Sequence, residues 1–594
     1  MASQTRTEPN LSMNPRIERD RAMIREARQK GRWATTGVFV RLSGPGWLQS
    51  AITLGGGSLS SSMYLGVLGG FCFLWLQPLA MMAGIVMLSA IAYVTLSTGE
   101  RPLRAINRHI NPVLGWGWLF ASMTANLVWS LPQFALATAS FQQNLLPGVF
   151  GDAGLLPDPY NKIAVALIIL CITTCAGTIY SIGGRGVKIF EIVVKCLVGT
   201  TVICFISVVV KLTTTGVLDW RAIAAGFLPT IRLLSEPVDA FKAHIAQAPE
   251  QFRAFWSNYI VSQQRDVMIS AAATAVGINM TFLFPYSMLR KGWDRDFREL
   301  AIFDLSTGLF FPFLMATSCV VIASASQFNA APAKGFLPLQ PGETMNEAGQ
   351  VIDATGAVVT PAANLVGPYQ DLLFRRLQAE IGPEAAAALS PEARAARLRA
   401  LPEADRRIAA MLVTRDAFNL AEALAPLTGS RFAQYIFGLG VLGMGMGAAT
   451  MLMLINGLCF CELLNRPARG WPQRVGMAMV SVGILGPFFW TQARMWIAIP
   501  TSVFAMTLLP FAYFSFFALM NQKKLMGDNM PKGVNRWIWN ILMGIAAGLA
   551  AFASLWSIFS KLGAARGAAV LAVLAVLLII GHIVRKRNEA REAA

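Results

Sequence analysis

Long apolar runs recur through this sequence and constrain its fold more than any other feature. An α-helix needs roughly 20 apolar residues to cross a bilayer, and about twelve runs approach or exceed that length. They lie near 37–68, 72–98, 112–143, 162–182, 187–212, 267–290, 299–326, 431–462, 473–492, 495–520, 534–558 and 566–584. Only 14% of the 594 residues are charged and 55% are hydrophobic, which leaves too little polar surface for a soluble protein of this length. We therefore predict an all-α, multi-pass integral membrane protein.

The lengths of the connections between these runs divide the chain into five parts. Two connections are long, 213–266 and 327–430, and the second far exceeds an ordinary loop. The predicted parts are a basic cytoplasmic segment (1–36), transmembrane helices 1 to 7 (37–326), an extracytoplasmic insertion with short helices (327–430), transmembrane helices 8 to 12 (431–584) and a cytoplasmic tail (585–594).

The positive charge of the chain predicts its orientation in the membrane. The net charge is +18, and the basic residues concentrate in alternate connections. Cytoplasmic loops carry such an excess, so we expect both termini in the cytoplasm and the protein in the plasma (inner) membrane. No nucleic-acid-binding module accompanies these loops, and we expect no nucleic-acid partner. The basic N-terminal segment fits either a surface helix on anionic membrane lipid or a solvated tail.

The long insertion carries one clear helix signal. Ser390, Pro391 and Glu392 match an N-cap, a first helical position and an acidic first turn. They predict that a helix rich in alanine and arginine begins there. The insertion is expected to gate the substrate, to bind a partner or to be an external decoration without chemistry, and the sequence leaves these alternatives open.

Two apolar segments are interrupted by polar or small residues, at Gly44–Tyr64 and Ala271–Leu289. Lipid cannot satisfy exposed backbone N–H and C=O groups, so such interruptions occur where the backbone lines a cavity or is buried in protein. Paired broken helices in corresponding parts of a chain are typical of a transporter's binding site. We therefore predict that the two interruptions meet in one substrate site. Glycines that serve only close helix packing are the alternative.

Several phrases resemble the Nramp family of divalent-metal transporters. They are GPGWLQSA (44–51), LGGGSL (54–59), GGRGVKIFE (183–191), the segment 416–467 and LPF (509–511). The resemblance covers most of residues 40–560 except the segment 327–410. It implies the leucine-transporter fold, with inverted five-helix repeats in which helices 1 and 6 are broken.

The resemblance also implies which residues bind the substrate, although this chain departs from the family pattern. Gly55 and Ser58 stand where the family has its metal-binding aspartate and asparagine, so the usual carboxylate is missing. In the sixth helix, one register places Met280 on the metal-binding methionine, and a register shifted by one residue places Asn279 there. The predicted substrate-binding residues are Gly55, Gly56, Gly57, Ser58, Gly277, Asn279 and Met280, with Ser58 and Met280 as metal contacts.

Few ionisable residues remain inside the predicted spans. The acidic residues of the family's proton path in helix 3 give way to neutral residues around Ser130 and Gln133. Glu191 and Lys195 are spaced for an i,i+4 pair within one helix. Asp304 fits a structural hydrogen-bonding role better than proton transfer, because it lies close to the end of its span.

The resemblance implies a secondary transporter that moves a metal or other inorganic cation as its substrate. A site of carbonyls, hydroxyls and a free half-helix N-terminus also suits a small neutral or anionic organic solute such as an amino acid. A non-transporting membrane receptor or scaffold is a third alternative. We expect no enzyme, because the three histidines lie away from the interruptions and no nucleophile and base are paired in sequence. We expect no cofactor, and the sequence does not indicate an oligomeric state.

Overall fold

The computed structural model describes residues 15–151, 154–182, 184–339, 341–346, 350–489 and 498–593. Helices dominate these ranges, which confirms the prediction of an all-α membrane fold. One small hairpin in the insertion departs from it, formed by β1 (Thr344–Met345) and β2 (Val351–Ile352). Its strands are antiparallel, with Thr344 opposite Ile352.

The helices up to residue 328 precede the insertion. In chain order they are α1 (Pro15–Lys30), α2 (Arg32–Leu42), α3 (Pro45–Thr53), α4 (Gly56–Gly69), α5 (Leu76–Thr98), α6 (Pro102–His109), α7 (Pro112–Ser140), α8 (Pro147–Phe150), α9 (Tyr160–Ile182), α10 (Arg185–Thr214), α11 (Trp220–Ala225), α12 (Asp239–Gln247), α13 (Glu250–Ala275), α14 (Ile278–Lys291), α15 (Arg298–Leu305) and α16 (Phe311–Phe328). Short π-helical turns continue α7 at Phe141–Leu145 and join α15 to α16 at Ser306–Phe310. Short 3₁₀ turns lie at Ile231–Leu234 and Arg295–Phe297.

The remaining helices form the insertion and the last spans. They are α17 (Ala363–Ile381), α18 (Pro383–Ala387), α19 (Pro391–Arg399), α20 (Glu403–Leu412), α21 (Ala417–Thr428), α22 (Ser430–Phe432), α23 (Gly438–Leu463), α24 (Trp471–Met479), α25 (Gly486–Phe489), α26 (Ala498–Met520), α27 (Lys523–Met526) and α28 (Gly533–Ala593). A π-helical turn at Ala433–Phe437 joins α22 to α23, and 3₁₀ turns lie at Val480–Leu485 and Gly527–Asn529. The predicted runs 473–492 and 495–520 meet at residues 490–497, which lie outside the described residues.

Both predicted helix interruptions are present. The first span is broken between α3 and α4 at Leu54 and Gly55. The second is broken between α13 and α14 at Val276 and Gly277. In each break the backbone leaves the helical conformation for two residues, so carbonyl groups of one half-helix and N–H groups of the next have no partner in the helix itself.

The segment α28 consists of two helices that meet at Gly563. Its 61 residues would form a helix of about 90 Å, roughly three times the thickness of a bilayer core. Gly563 interrupts it with φ 78°. Asn540 contacts Asn521, and both Gln522 and Arg585 bond to the carbonyl of His109, so 540 and 585 lie at the same end. The chain therefore reverses at Gly563, as the separate apolar runs 534–558 and 566–584 predict.

The number of spans stays a prediction. Seven helical segments of the described ranges are long and apolar enough to cross a membrane, or eight if the bent pair Phe504–Met520 and Lys523–Asn529 forms one more. The long segment Gly533–Arg591 counts once in that number although the chain reverses within it. Half-helices such as α3 are too short to be counted alone.

The insertion folds against the end of the first broken span. Ser390 accepts a hydrogen bond from the Ala393 N–H and Pro391 is the first helical residue of α19, which confirms the predicted helix start. The Tyr64 hydroxyl at the end of α4 reaches the Leu412 carbonyl at the end of α20. The insertion and α1 therefore lie at opposite ends of the broken span α3–α4.

The N-terminal helix α1 binds to the protein itself. Its residues Ile17, Ile24 and Ala27 are buried, and its arginines face an acidic segment between α14 and α15. The ion pairs are Arg21 with Asp294 and with Asp296 (3.1 Å), Arg25 with Asp296 (3.2 Å) and Arg28 with Glu299 (2.9 Å). Residues 15–30 are thus a docked helix and not a solvated tail, because an amphipathic helix of this kind buries its apolar face. Contact of α1 with anionic lipid stays a prediction. Residues 1–14 lie outside the described residues.

Asp296→Arg is expected to loosen α1. Asp296 pairs with two arginines, so charge reversal replaces two attractions by two repulsions. Each exposed pair contributes only ~0–1 kcal/mol, and reversal is therefore a stronger test than neutralisation. Hydrogen exchange of residues 15–30 should become several-fold faster. The double variant Arg25→Asp/Asp296→Arg should restore part of the protection, and exchange rates unchanged by Asp296→Arg would show that the ion pairs do not hold the helix.

Candidate functional site

The two breaks meet through Thr53, the last residue of α3. Its hydroxyl lies 3.1 Å from the Met280 sulfur and 3.3 Å from the carbonyl oxygen of Ala275. Ala275 is the last residue of α13. The Ser58 hydroxyl, in the first turn of α4, donates to the Thr53 carbonyl. Hydroxyl groups therefore satisfy the carbonyls that the ends of α3 and α13 leave without helical partners.

Two side chains of α7, Gln133 and Asn126, bind polar groups at the breaks. The Gly56 N–H, at the start of α4, donates to the Gln133 side-chain oxygen at 2.8 Å. The Asn279 side-chain oxygen accepts from the Met280 N–H at 2.9 Å, and its amide nitrogen donates to Asn126 at 3.3 Å. These contacts fix both half-helices against one side of α7.

A small buried cavity of about 30 Å³ lies between the breaks. A cavity of this volume is large enough to hold a water molecule. Its walls come from α3, α4, α7, α13, α14, α23 and α26, through Ile52, Thr53, Gly55, Ser58, Ala125, Trp129, Gln133, Ala273, Thr274, Gly277, Ile278, Asn279, Met280, Ala448, Leu452 and Ala505. The cavity therefore joins elements that are far apart in the sequence.

Five of the seven predicted site residues line this cavity, namely Gly55, Ser58, Gly277, Asn279 and Met280. Gly56 and Gly57 are outside its lining and face α7. A Cβ atom on Gly57 would lie 2.1 Å from the Trp129 ring, so the absence of a side chain allows that ring to approach α4. The role of these residues in binding stays a prediction.

The two sequence registers proposed for the second break place either Met280 or Asn279 at the site, and the structure brings both residues to the same cavity. Asn279 and Met280 both line the cavity. The Met280 sulfur points to the first break, where it meets Thr53, while Asn279 points to Asn126 on α7. Met280 is thus the side chain that links the two breaks directly.

Among the described residues that line the cavity, none is an aspartate, glutamate, histidine, lysine or arginine. Across the ranges that the structure describes, no cluster of three or more histidine, cysteine, aspartate or glutamate side chains is placed to hold a metal ion. The potential ligands are the Met280 thioether, the hydroxyls of Thr53, Ser58 and Thr274, the amides of Gln133 and Asn279, and backbone carbonyls.

The buried carboxylate of Asp304 lies at the other end of α3. It accepts hydrogen bonds from the Ser43 hydroxyl at 2.6 Å, the Gly44 N–H at 3.1 Å and the Gly46 N–H at 2.7 Å. A carboxylate at a helix N-terminus receives its free N–H groups and is stabilised by the helix dipole. This is the structural hydrogen-bonding role that we expected for Asp304.

The expected pair between Glu191 and Lys195 is wrong. Glu191 pairs instead with Lys291 of α14 at 2.9 Å, and the Lys195 ammonium donates to the Ser43 carbonyl at 2.8 Å. The i,i+4 spacing on one helix predicted a local pair, but α3 and α14 pack beside α10 and offer partners in the tertiary structure. Lys195 therefore holds the start of α3 in place together with Asp304, whereas Glu191 joins α10 to α14.

Sequence reasoning missed Thr53, Asn126 and Trp129. Thr53 directly precedes the interruption, and a polar residue at a half-helix C-terminus is a signal that was available. Asn126 is a fully buried amide inside an apolar helix. Such a residue predicts a partner but does not say which one, because the partner lies 153 residues further along the chain.

Comparison with known proteins identifies the family to which this architecture belongs. The chain matches the family described as Natural resistance-associated macrophage protein-like (Nramp) over residues 46–363 and 406–560. The chain belongs to the Nramp family. Crystal structures of two mutants of the Eremococcus coleocola manganese transporter share the fold of this Nramp chain at 12% identity, with TM-scores of 0.59 and 0.60. Each comparison covers 93% of this chain and 96% of the other. Among curated protein sequences, none matches.

Membership confirms the predicted class of function. Nramp proteins are secondary metal-ion transporters and not enzymes, so this chain is a multi-pass membrane transporter of metal ions. The unmatched residues 364–405 fall within the insertion, where the sequence resemblance also had its gap.

Gly57→Ala and Gly56→Ala form a matched pair that tests the packing at the first break. A Cβ on Gly57 would overlap the Trp129 ring, whereas a Cβ on Gly56 would make ordinary contacts of 3.4 Å with Leu136 and 3.5 Å with Gln133. Overpacking of this kind costs about 1–3 kcal/mol. Thermal unfolding of the purified Nramp chain should therefore shift to lower temperature for Gly57→Ala and stay close to the unsubstituted protein for Gly56→Ala. Equal melting temperatures of the two variants would contradict the close approach of Trp129.

Proposed function

We propose that this transporter carries its metal cation through the cavity between the two breaks, and that neutral ligands alone bind the ion there. The observation that carries the proposal is the contact of Met280 with Thr53. It joins a thioether, a hydroxyl and two half-helix C-terminal ends at one point. Unwound carbonyls and the negative ends of half-helices are groups that hold cations in transporters of this architecture.

The hydroxyl groups of Thr53 and Ser58 hold the two carbonyls by hydrogen bonds when no ion is bound. Without a cation, Thr53 and Ser58 donate their protons to the carbonyls of Ala275 and Thr53. A cation that approaches these carbonyls takes the place of the two hydroxyl hydrogen bonds, because both hydroxyls keep their protons and rotate at little cost. The lone pairs of the hydroxyl oxygens then point to the ion. The same two side chains thus satisfy the site when empty and add ligands when loaded.

The lack of an anion determines which cation fits. Removing an ion from water costs several kcal/mol per charge even after relaxation, and a dication in this cavity meets no carboxylate among the described lining residues. Asp304 is too distant, because its partner Gly46 and the site residue Thr53 are seven residues, or about 10 Å, apart along α3. Thioethers prefer soft ions. We therefore infer a soft or singly charged metal cation rather than Mn²⁺.

The size of the cavity disfavours the alternative of an organic solute. A volume of about 30 Å³ admits an ion or a water molecule in this conformation but no amino acid. The receptor or scaffold alternative makes a different prediction, because such a protein would show no ion flux at all.

Proteoliposome uptake tests the ligand set. Cu⁺ flux should be saturable, and Met280→Leu should reduce it about tenfold or more, because leucine keeps the volume but removes the sulfur. Met63→Leu is the matched control, since Met63 is buried on α4 outside the cavity lining. Mn²⁺ flux should not saturate at micromolar concentration and should not acidify the lumen. Saturable micromolar Mn²⁺ uptake with proton influx would overturn the neutral-site proposal, and the absence of any cation flux would favour a receptor.

We expect no proton influx because the side chains of α7 at the site are neutral. Proton relays need ionisable side chains or ordered water inside the bundle. On α7, Gln133 is buried and uses its side-chain oxygen to accept from Gly56, and Ser130 donates to the Leu127 carbonyl. Neutral groups that serve the backbone thus stand on the helix where the family resemblance implies acidic ones.

We propose that both termini are cytoplasmic, that the insertion is extracytoplasmic and that the protein lies in the plasma (inner) membrane. The support is the excess of basic residues at the end that carries α1. An impermeant thiol reagent should label Ala354→Cys, an exposed position of the insertion, in intact cells. It should label Gln29→Cys, exposed on α1, only after permeabilisation. The reverse pattern would invert the orientation.

A further inference from the structure

The insertion encloses a second, larger cavity of about 740 Å³. It lies between α17, α19, α20 and the β1–β2 hairpin. Clefts of ~300–1,000 Å³ with apolar walls and a few polar groups are the usual form of small-molecule sites. Most of this cavity is built by residues 364–405, the part of the chain that the family match leaves out. Its role is therefore separate from the cation site.

The floor of the larger cavity is apolar and well packed. Phe336 and Tyr369 stack with their ring centres 4.1 Å apart, and Leu373 and Leu398 complete the buried surface. Burial raises the pKa of Tyr369 to about 12. A ligand in this cavity therefore needs an apolar body.

One wall of the cavity carries arginine without a carboxylate partner. The Arg406 Nε atom is buried and has no hydrogen-bond partner, and its Nη1 atom reaches only the Met345 sulfur at 3.5 Å. Sulfur is a weak acceptor. Across the described part of the insertion, neither Arg406 nor Arg394 has an acidic side chain within 4.0 Å. A buried donor without a partner points to a missing ligand or ion.

The neighbouring Arg376 differs from Arg406 because it has carboxylate partners within the protein. Arg376 is fully buried and pairs with Asp405 at 3.0 Å and with Glu380 at 2.9 Å. Arg406 directly follows Asp405 in α20, yet it faces the cavity instead. The Arg394 guanidinium carbon lies 3.5 Å from the centre of the Phe374 ring, a cation–π contact that holds the guanidinium at the wall of the cavity.

We propose that this cavity binds an organic carboxylate with an apolar body, held by Arg406 and Arg394 at the carboxylate and by the Phe336–Tyr369 stack at the apolar end. Among the described lining residues, Arg394 and Arg406 are the arginines that this assignment uses, and Asp371 is the acidic one. Bidentate pairing with guanidinium groups suits a planar carboxylate. The insertion is thus a ligand-binding module on the transporter.

Isothermal titration calorimetry on the full-length protein in detergent tests the proposal with three probes. They are 3-phenylpropionate, its neutral analogue 3-phenylpropanol and inorganic phosphate. The first should bind, and the other two should bind at least tenfold more weakly, because the alcohol lacks the charge and phosphate lacks the apolar body. Equal binding of the alcohol, equal binding of phosphate, or no binding of 3-phenylpropionate at millimolar concentration would each overturn the proposal.

Arginine variants locate the site. Arg406→Gln and Arg394→Gln should each weaken 3-phenylpropionate binding roughly tenfold or more, the value of a charge-assisted hydrogen bond. Arg397→Gln is the matched control, because Arg397 is exposed on the same helix as Arg394 and lies outside the cavity. Melting curves without probe show whether each variant is folded, and Arg394→Gln keeps the test valid if Arg406→Gln unfolds. Binding unchanged in a folded Arg394→Gln variant would refute the assignment.

Discussion

The buried carboxylate of Asp304 fixes the start of α3, and the geometry of the cavity between the two breaks depends on the position of α3. Three donors from residues 43–46 converge on this one side chain. Leaving a buried donor unpaired costs about 1–3 kcal/mol, so the start of α3 has few alternatives of similar energy. Because α3 is short and rigid, fixing one end also determines where Thr53 lies at the other.

The same requirement for paired backbone groups organises the rest of the site. Each break exposes carbonyl and N–H groups that lipid cannot satisfy. The groups that do so come from other elements: Gln133 for Gly56, Thr53 for Ala275 and Met280 for the Gly277 N–H. The two breaks and α7 therefore form one unit, and none of them has this conformation independently of the others.

The sequence predicted features that are local and missed features that need a distant partner. Three consecutive glycines and a lone glycine marked the two breaks, and Ser390 with Pro391 marked a helix start, because each signal lies within a few residues of its effect. The partner of Glu191 is 100 residues away on α14, and the acidic partners of α1 are more than 260 residues away. Periodicity showed that α1 is polar and basic, but it contains no information about the surface that pairs with it.

A cavity lined by neutral groups has a consequence for the energetics of a transport cycle. An empty site of this kind moves no formal charge when the protein changes conformation, whereas the loaded site moves the charge of its ion. A membrane potential of 100 mV contributes about 2.3 kcal/mol per elementary charge that crosses the bilayer. In a carrier with a site of this kind, the potential acts on the loaded step and leaves the return of the empty carrier unaffected, so that voltage alone would drive net accumulation of a cation on the negative side.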